Sequence, residues 1–190
     1  SRLPLLDRGM CYAIAHIRGG GEMGRERWYE KEGKYLTKRN TFTDFVDCAK
    51  HLHDARITTP ERTAINGRSA GGLLMGAVLN MAPERFAVAV AGVPFVDVMV
   101  SMCDPSIPLT VGEWEEWGNP NEEKYYEYMR SYSPIDNVRE DVPYPKMLIV
   151  SGLNDPRVAY WEPTKWAQVL RERVTNGEQI LLKMDMAAGH

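Results

Sequence analysis

The sequence predicts an α/β fold built on a mostly parallel sheet with helices on both faces. Two observations predict it. Short apolar runs of strand length alternate with segments whose apolar residues recur at helical spacing. Strand-like runs such as Met10 to Ile17 and Ala87 to Val93 are nearly continuous in hydrophobic residues, as strands buried on both faces are. With 190 residues, 44% hydrophobic and 26% charged, the chain has the size and composition of one domain with a real core. No internal repeat or low-complexity tract interrupts it.

The elements follow in order. Met10 to Ile17 is apolar and lies between Arg8-Gly9 and Gly19-Gly20-Gly21, which predicts a buried strand. Arg25 to Asn40 is polar and aperiodic and predicts a loop. Thr41 then opens a helix, with Phe42, Phe45, Val46, Ala49 and Leu52 on one face and Thr41 and Asp44 as a capping pair. That helix fades near Ile57, before Pro60. Arg62 to Asn66 predicts a short strand that runs into Gly67-Arg68-Ser69-Ala70-Gly71-Gly72. Leu73, Leu74, Ala77, Val78 and Met81 mark the next helix, closed by Pro83. Ala87 to Val93 is another strand. Asp97 to Asp141 is long, aromatic and acidic, broken by Pro105, Pro108, Pro120 and Pro134, and predicts a loop with short helices over or beside the site. Lys146 to Ser151 predicts a strand, Trp161 to Val174 a helix, and Gln179 to Met184 the last strand.

Charge and cysteines narrow the function. A net charge of -3 gives no electrostatic footprint for nucleic acid. Arg25, Arg27, Lys31, Lys34, Lys38 and Arg39 are interleaved with Glu26, Glu30 and Glu32, which predicts a solvated mixed-charge surface. Cys11, Cys48 and Cys103 are odd in number and match no zinc or redox spacing, so free thiols in a reducing compartment are expected, and neither metal nor cofactor is. No apolar run approaches the ~18 residues of a membrane span, and no signal peptide opens the chain, so no membrane partner is expected. The chain starts without Met and stops at His190 after a strand and a short loop. The expectation is a piece of a larger protein, truncated at both ends.

The chemistry concentrates in Gly67-Arg68-Ser69-Ala70-Gly71, a G-x-S-x-G elbow with a strand before it and a helix after it. The sharp turn leaves no room for side chains at its flanks and lifts the serine hydroxyl clear of the backbone. The Ala70 amide then points where an oxyanion would form, aided by the helix start. A serine needs a base, and the base an orienting acid. In an α/β-hydrolase these follow in the order Ser, acid, His. Asp155, just after the strand ending at Ser151, and His190, after the final strand, fit that order. Asp185, Asp104 and Asp97 compete as the acid. His16, His51 and His53 read as structural. Gly19, Gly21 and Gly24, with Asp44 twenty residues further on, mimic a dinucleotide fingerprint, but the charged, aperiodic stretch after them is no Rossmann helix.

With these residues assembled, the chain resembles the catalytic domain of the prolyl oligopeptidase family over nearly its whole length. The matching segments are Ser1-Arg2-Leu3, Ile17 to Glu22, Asn40 to Asp44, Ile65 to Gly72 and Ala188-Gly189-His190. Within the family it is most similar to the branch that cleaves after basic residues, through Pro94 to Val98, Pro108-Leu109-Thr110, Gly112 to Pro120, Tyr125 to Met129 and Tyr160 to Pro163. The resemblance implies a cytosolic serine peptidase that cleaves short basic peptides after Arg or Lys. It also implies an α/β-hydrolase domain capped by a β-propeller that admits only small peptides. On this reading residues 1–190 are a partial catalytic domain, without the propeller, the upstream strands or the C-terminal helix. The family's triad maps onto Ser69, Asp155 and His190, and its arginine for the substrate backbone carbonyl onto Arg157. Glu113 and Glu115 become the candidates for the cationic P1 side chain, a carboxylate pair suited to an Arg fork. Arg68 departs from the family's usual glycine. The second oxyanion donor, a tyrosine, and the acidic residues for a basic P2 side chain belong to segments upstream of Ser1. Two other readings stand beside this one: an inactive fragment of such an enzyme, and an esterase on the same fold.

Overall fold

The computed structural model describes residues 2–190. Its frame is a four-stranded sheet of β1 (Ala64–Arg68), β2 (Val88–Gly92), β3 (Lys146–Gly152) and β4 (Ile180–Asp185). The strands stand in sequence order and every neighbouring pair is parallel. Register aligns Ile65, Ala89, Met147 and Ile180 in one buried row. Against that side pack α3 (Ala70–Met81), which follows β1, and α7 (Trp161–Arg173), which follows β3. The two helices touch each other: a Cβ placed on Gly76 of α3 would lie 3.2 Å from the Trp166 ring of α7.

The handedness of the connections explains this one-sided cover. A crossover between parallel strands is right-handed, so a sheet whose strands are added in one direction collects its helices on one face. Helices reach the other face only where the strand order reverses, and among the described residues it does not. The expected cover on both faces is therefore met on one. On the other, Val88, Leu148 and Leu181 are 36%, 36% and 58% exposed.

Most expected elements form. The remaining helices are α1 (Leu3–Leu6), α2 (Arg39–Asp54), α4 (Val98–Cys103), α5 (Thr110–Trp117) and α6 (Glu123–Arg130). The last three fill the long segment after β2, as expected. The apolar face of α2, with Phe42, Phe45, Val46 and Ala49, joins the core beside α3. Its start differs. The helix begins at Arg39, and Thr41 and Asp44 form no cap. Thr41 Oγ1 donates instead to the Arg18 carbonyl at 2.7 Å, and Asp44 accepts from Arg18. Both side chains are spent on tying the 18–20 turn to α2.

Two expectations are corrected. Met10 to Ile17 is not a buried strand: among the described residues it has no ladder partner, and Met10, Tyr12 and Ile14 are 47%, 45% and 55% exposed. Apolarity favours a strand, but a neighbouring strand must supply the hydrogen bonds. The segment instead walls an open apolar groove of about 710 Å³ shared with Cys48 and Leu52 of α2. Arg25 to Asn40 is not an irregular loop throughout, because Glu26–Lys31 makes a π-helical turn and Tyr35–Thr37 a 3₁₀ turn. The π turn has a sequence counterpart. Arg25 with Glu30, Glu26 with Lys31, and Arg27 with Glu32 pair at 3.3, 2.7 and 2.8 Å, each five residues apart, the spacing of π-helical hydrogen bonds.

Candidate active site

Three connections at the C-terminal edge of the sheet build the site. The first is the elbow between β1 and α3. A Cβ on Gly67 would meet the Gly71 carbonyl oxygen at 2.1 Å, and one on Gly72 would meet Pro94 at 2.4 Å, so neither position accepts a side chain. Gly71 itself has open space where its Cβ would be, which corrects the expectation that both flanks of the pentapeptide are sterically closed. Ser69 takes φ 58° and ψ -119°, a conformation costly for any residue with a Cβ. Backbone bonds hold it there: Ser69 N–H donates to the Gly92 carbonyl at 2.9 Å, and the Ser69 carbonyl accepts from Gly72 at 2.7 Å. Ala70 is the first residue of α3, where a backbone N–H has no intrahelical acceptor and the helix dipole is positive.

The other two connections are zipped together. After β3, Asp155 Oδ1 accepts from the backbone N–H groups of Arg157 and Val158 at 2.8 and 3.0 Å. After β4, Asp185 Oδ1 accepts from Ala187 and Ala188 at 3.0 and 3.1 Å and folds the chain back. Leu153 N–H donates to the Asp185 carbonyl at 2.9 Å, and Asn154 N–H to that of Ala188 at 3.1 Å. His190 Nδ1 consequently lies 2.8 Å from Asp155 Oδ2 and 3.0 Å from Oδ1. The Asp155 side chain is fully buried, that of His190 16% exposed. A carboxylate only accepts, so Nδ1 carries a proton, and in the neutral ring this leaves on Nε2 the lone pair that a general base requires. Ser69 and His190 share no hydrogen bond here, and such catalytic contacts often tighten only when substrate binds.

The competing acids are otherwise engaged. Asp185 shapes its own loop, Asp97 pairs with Lys165, and Asp104 accepts from Ser106. His53 bonds Thr63, and His16 sits 3.5 Å from Glu22. Asp44 is not free for a ribose: its oxygens take Arg18 Nε at 2.8 Å and Nη2 at 2.7 Å. Burial pushes the Asp44 carboxyl up, but the bonds from Arg18 outweigh it and hold the pKa below the ordinary value.

Beside the elbow lies a cavity of about 130 Å³, lined among others by Ser69, Ala70, Phe95, Glu113, Trp117, Arg157 and Glu162. Phe95 and Trp117 meet at 5.7 Å between ring centroids, tilted by 48°, and make an apolar wall. Glu113 Oε2 accepts from Trp117 Nε1 at 2.7 Å. The same indole lies under Lys38, whose Nζ is 4.9 Å from the ring centre and 2.6 Å from Glu116 Oε1. Tyr29 donates to the other Glu116 oxygen, and burial together with that carboxylate pushes its phenol well up.

Glu115 is not in this cavity. The segment is helical, and residues two apart on a helix project roughly 200° from each other. Glu113 faces the cavity, while Glu115 is exposed and accepts from Tyr35 Oη at 3.1 Å. The expected Glu113–Glu115 pair around one guanidinium does not form. A different acid lines the cavity, one the sequence reading passed over: Glu162, in the first turn of α7 and 2% exposed. It lies in the Tyr160 to Pro163 segment that carries the resemblance, but as an acidic residue near a helix start it occupies a position that is usually solvated.

A model of the "Prolyl oligopeptidase family" matches residues 1–190. "Protease 2" of Moraxella lacunata is 56% identical over 189 residues, covering 100% of this chain and 27% of that protein. "Dipeptidyl aminopeptidase BI" of Pseudoxanthomonas mexicana is 50% identical over 190 residues, 100% of this chain and 26% of that one. Among solved structures, oligopeptidase B from Leishmania major superposes with a TM-score of 0.96 at 66% identity, over 100% of this chain and 26% of that one. Oligopeptidase B from Trypanosoma brucei with covalently bound antipain gives 0.96 at 68% identity, with the same coverage. The chain spans about a quarter of the length of the relatives it matches.

Proposed function

This chain belongs to the prolyl oligopeptidase family, and from that premise we propose that it carries the catalytic machinery of an oligopeptidase B-like serine peptidase acting on short peptides after Arg or Lys. One observation carries the reading: the strained Ser69 and the Glu113 carboxylate line the same cavity. A nucleophile and an anionic partner for a basic side chain thus stand within reach of one substrate residue.

In this mechanism Ser69 Oγ attacks the scissile carbonyl while His190 Nε2 takes its proton. Asp155, bonded to Nδ1, holds the ring and stabilises its cationic form. The Ala70 N–H receives the oxyanion, and Arg157, on the cavity rim, holds a substrate backbone carbonyl. His190 then gives its proton to the leaving amine, and water repeats the sequence on the acyl-enzyme. Residues 1–190 are proposed as part of the catalytic domain of a longer enzyme, in which a β-propeller would limit access to short peptides. A cytoplasmic location belongs to the same proposal, supported by three cysteines outside any disulfide.

A fluorophosphonate probe tests the nucleophile. It should label the full-length enzyme at Ser69 and fail to label Ser69→Ala. Labelling that persists in the variant would overturn the assignment.

A further inference from the structure

We propose that Glu162 is a second carboxylate of the P1 pocket, so that a basic substrate side chain is held between Glu113 on α5 and Glu162 on α7. The inference rests on the peptidase reading above and deepens it.

The bonding of Glu162 leads to it. Oε2 accepts from the backbone N–H groups of Val96 and Asp97, each at 3.0 Å, and Oε1 accepts from Ser101 Oγ at 2.6 Å. Every one of these donors is neutral. The adjacent Lys165 ammonium is engaged by Asp97. Glu162 is therefore a carboxylate 2% exposed, lining a cavity, with no cation among the described residues bonded to it. Burial pushes its carboxyl up, against the pull of its three hydrogen bonds. A carboxylate oxygen has room for two donors, and Oε1 has used one.

A guanidinium entering the cavity meets both needs. Its planar fork presents five N–H donors and bonds more than one carboxylate. Glu113, already fixed by Trp117, would take one side, and the free lone pair of Glu162 the other. Phe95, Trp117 and Met102 line the same space and suit the aliphatic stem. Two acids on two helices thus replace the pair on one helix that the spacing of Glu113 and Glu115 suggested.

The rival explanation is scaffolding alone, Glu162 tying the 96–97 turn to α4 and α7. Glu162→Gln separates the two. The glutamine carbonyl can accept from Val96 and Asp97, and its amide can donate to Ser101 Oγ, so the scaffold keeps its bonds and loses only the charge.

In the full-length enzyme, kcat/KM is measured on matched substrates with Arg, Lys or Leu at P1, for wild type, Glu162→Gln, Glu113→Gln and the double variant. Glu162→Gln should lose about 10- to 100-fold on the Arg substrate, as expected for a charge-assisted hydrogen bond, with little change on Leu and in Tm. The double variant should retain little preference for a basic residue. Equal change on Arg and Leu, or none on either, would overturn the proposal. If Glu113→Gln is selective and Glu162→Gln is not, this inference alone fails. If wild type does not prefer basic residues, the underlying reading fails with it. Should Glu162→Gln not fold, Glu162→Asp carries the test: it keeps the charge and withdraws it by one methylene. A selective drop on Arg supports contact with the guanidinium, and parallel changes on Arg and Leu refute it.

Discussion

The backbone of Gly152 runs directly beneath the carbonyl of Ala188, so closely that a Cβ on Gly152 would lie 2.5 Å from that oxygen. The Gly189 oxygen stands equally close. This packing lets the loop bearing His190 settle onto the loop bearing Asp155. Gly152→Ala should force the two apart, since a backbone oxygen cannot swing away as a side chain can. We expect a cost of about 1–3 kcal/mol in stability, the usual range for overpacking. The activity loss should lie mainly in kcat, because the displaced loops carry Asp155 and His190, whereas Phe95, Glu113 and Trp117 of the cavity stand on other elements. Steady-state kinetics and thermal melts check both parts. Wild-type kcat in a folded Gly152→Ala enzyme would show that the loop has slack.

Ser69, Asp155 and His190 should act as one unit. In the full-length enzyme Ser69→Ala and His190→Ala should each remove most activity, and the double variant should lose little more, because members of a triad are strongly non-additive. A double-mutant cycle on kcat/KM reads this directly. Multiplying losses would mean that His190 does not serve Ser69.

Trp117 should set selectivity through Glu113. Its Nε1–H fixes the carboxylate at 2.7 Å, and Trp117→Phe removes the donor while keeping an aromatic wall. One hydrogen bond contributes about 1 kcal/mol, so kcat/KM for an Arg substrate should fall roughly fivefold relative to a Leu substrate. Glu115→Gln is the contrast. That residue faces Tyr35, and its Arg-to-Leu ratio should stay at the wild-type value. A selective loss in Glu115→Gln would show that α5 turns when substrate binds.

The Arg18–Asp44 pair predicts an acid limb to stability. The Asp44 pKa is lowered in the folded state, because the bonds from Arg18 overcome its burial. Its contribution is therefore complete above the unfolded carboxylate value of about 3.9 and is lost as pH falls through the lowered folded value. Asp44→Asn should melt below wild type at neutral pH, and the two should converge as the solution is acidified. Melting curves that stay parallel down to acid would mean that this pair carries none of the pH dependence.

What was legible in the sequence was the chemistry that depends on local spacing. Gly67 and Ser69 had to sit two apart at a strand-helix turn, and Asp155 and His190 each had to follow a strand; all of this stands in the chain as written. What was illegible depended on partners far along the chain. Met10 to Ile17 is as apolar as a strand, but a strand also needs a neighbour to pair with. Glu113 and Glu115 looked equivalent until the phase of α5 turned one inward and the other outward. Glu162 sits at a solvent-facing kind of position, and only the packing of α4 and the 96–97 turn around it makes it buried. The π turn lies between these cases. Its charge pairs stand at five-residue spacing in the chain, but interleaved charges suit a solvated surface as well as they suit a π turn.

The sequential order of the sheet also sets a timetable. Each strand neighbours the one before it in the chain, so a polypeptide emerging from its N-terminal side can add one strand and one helix at a time to an existing edge. The nucleophile elbow belongs to the first strand, the acid loop to the third, and the histidine to the segment after the fourth. A growing chain thus displays its serine long before anything can draw the proton from it. On the proposed mechanism the base follows the acid and the nucleophile, so a half-built chain would have no working triad to turn on its neighbours.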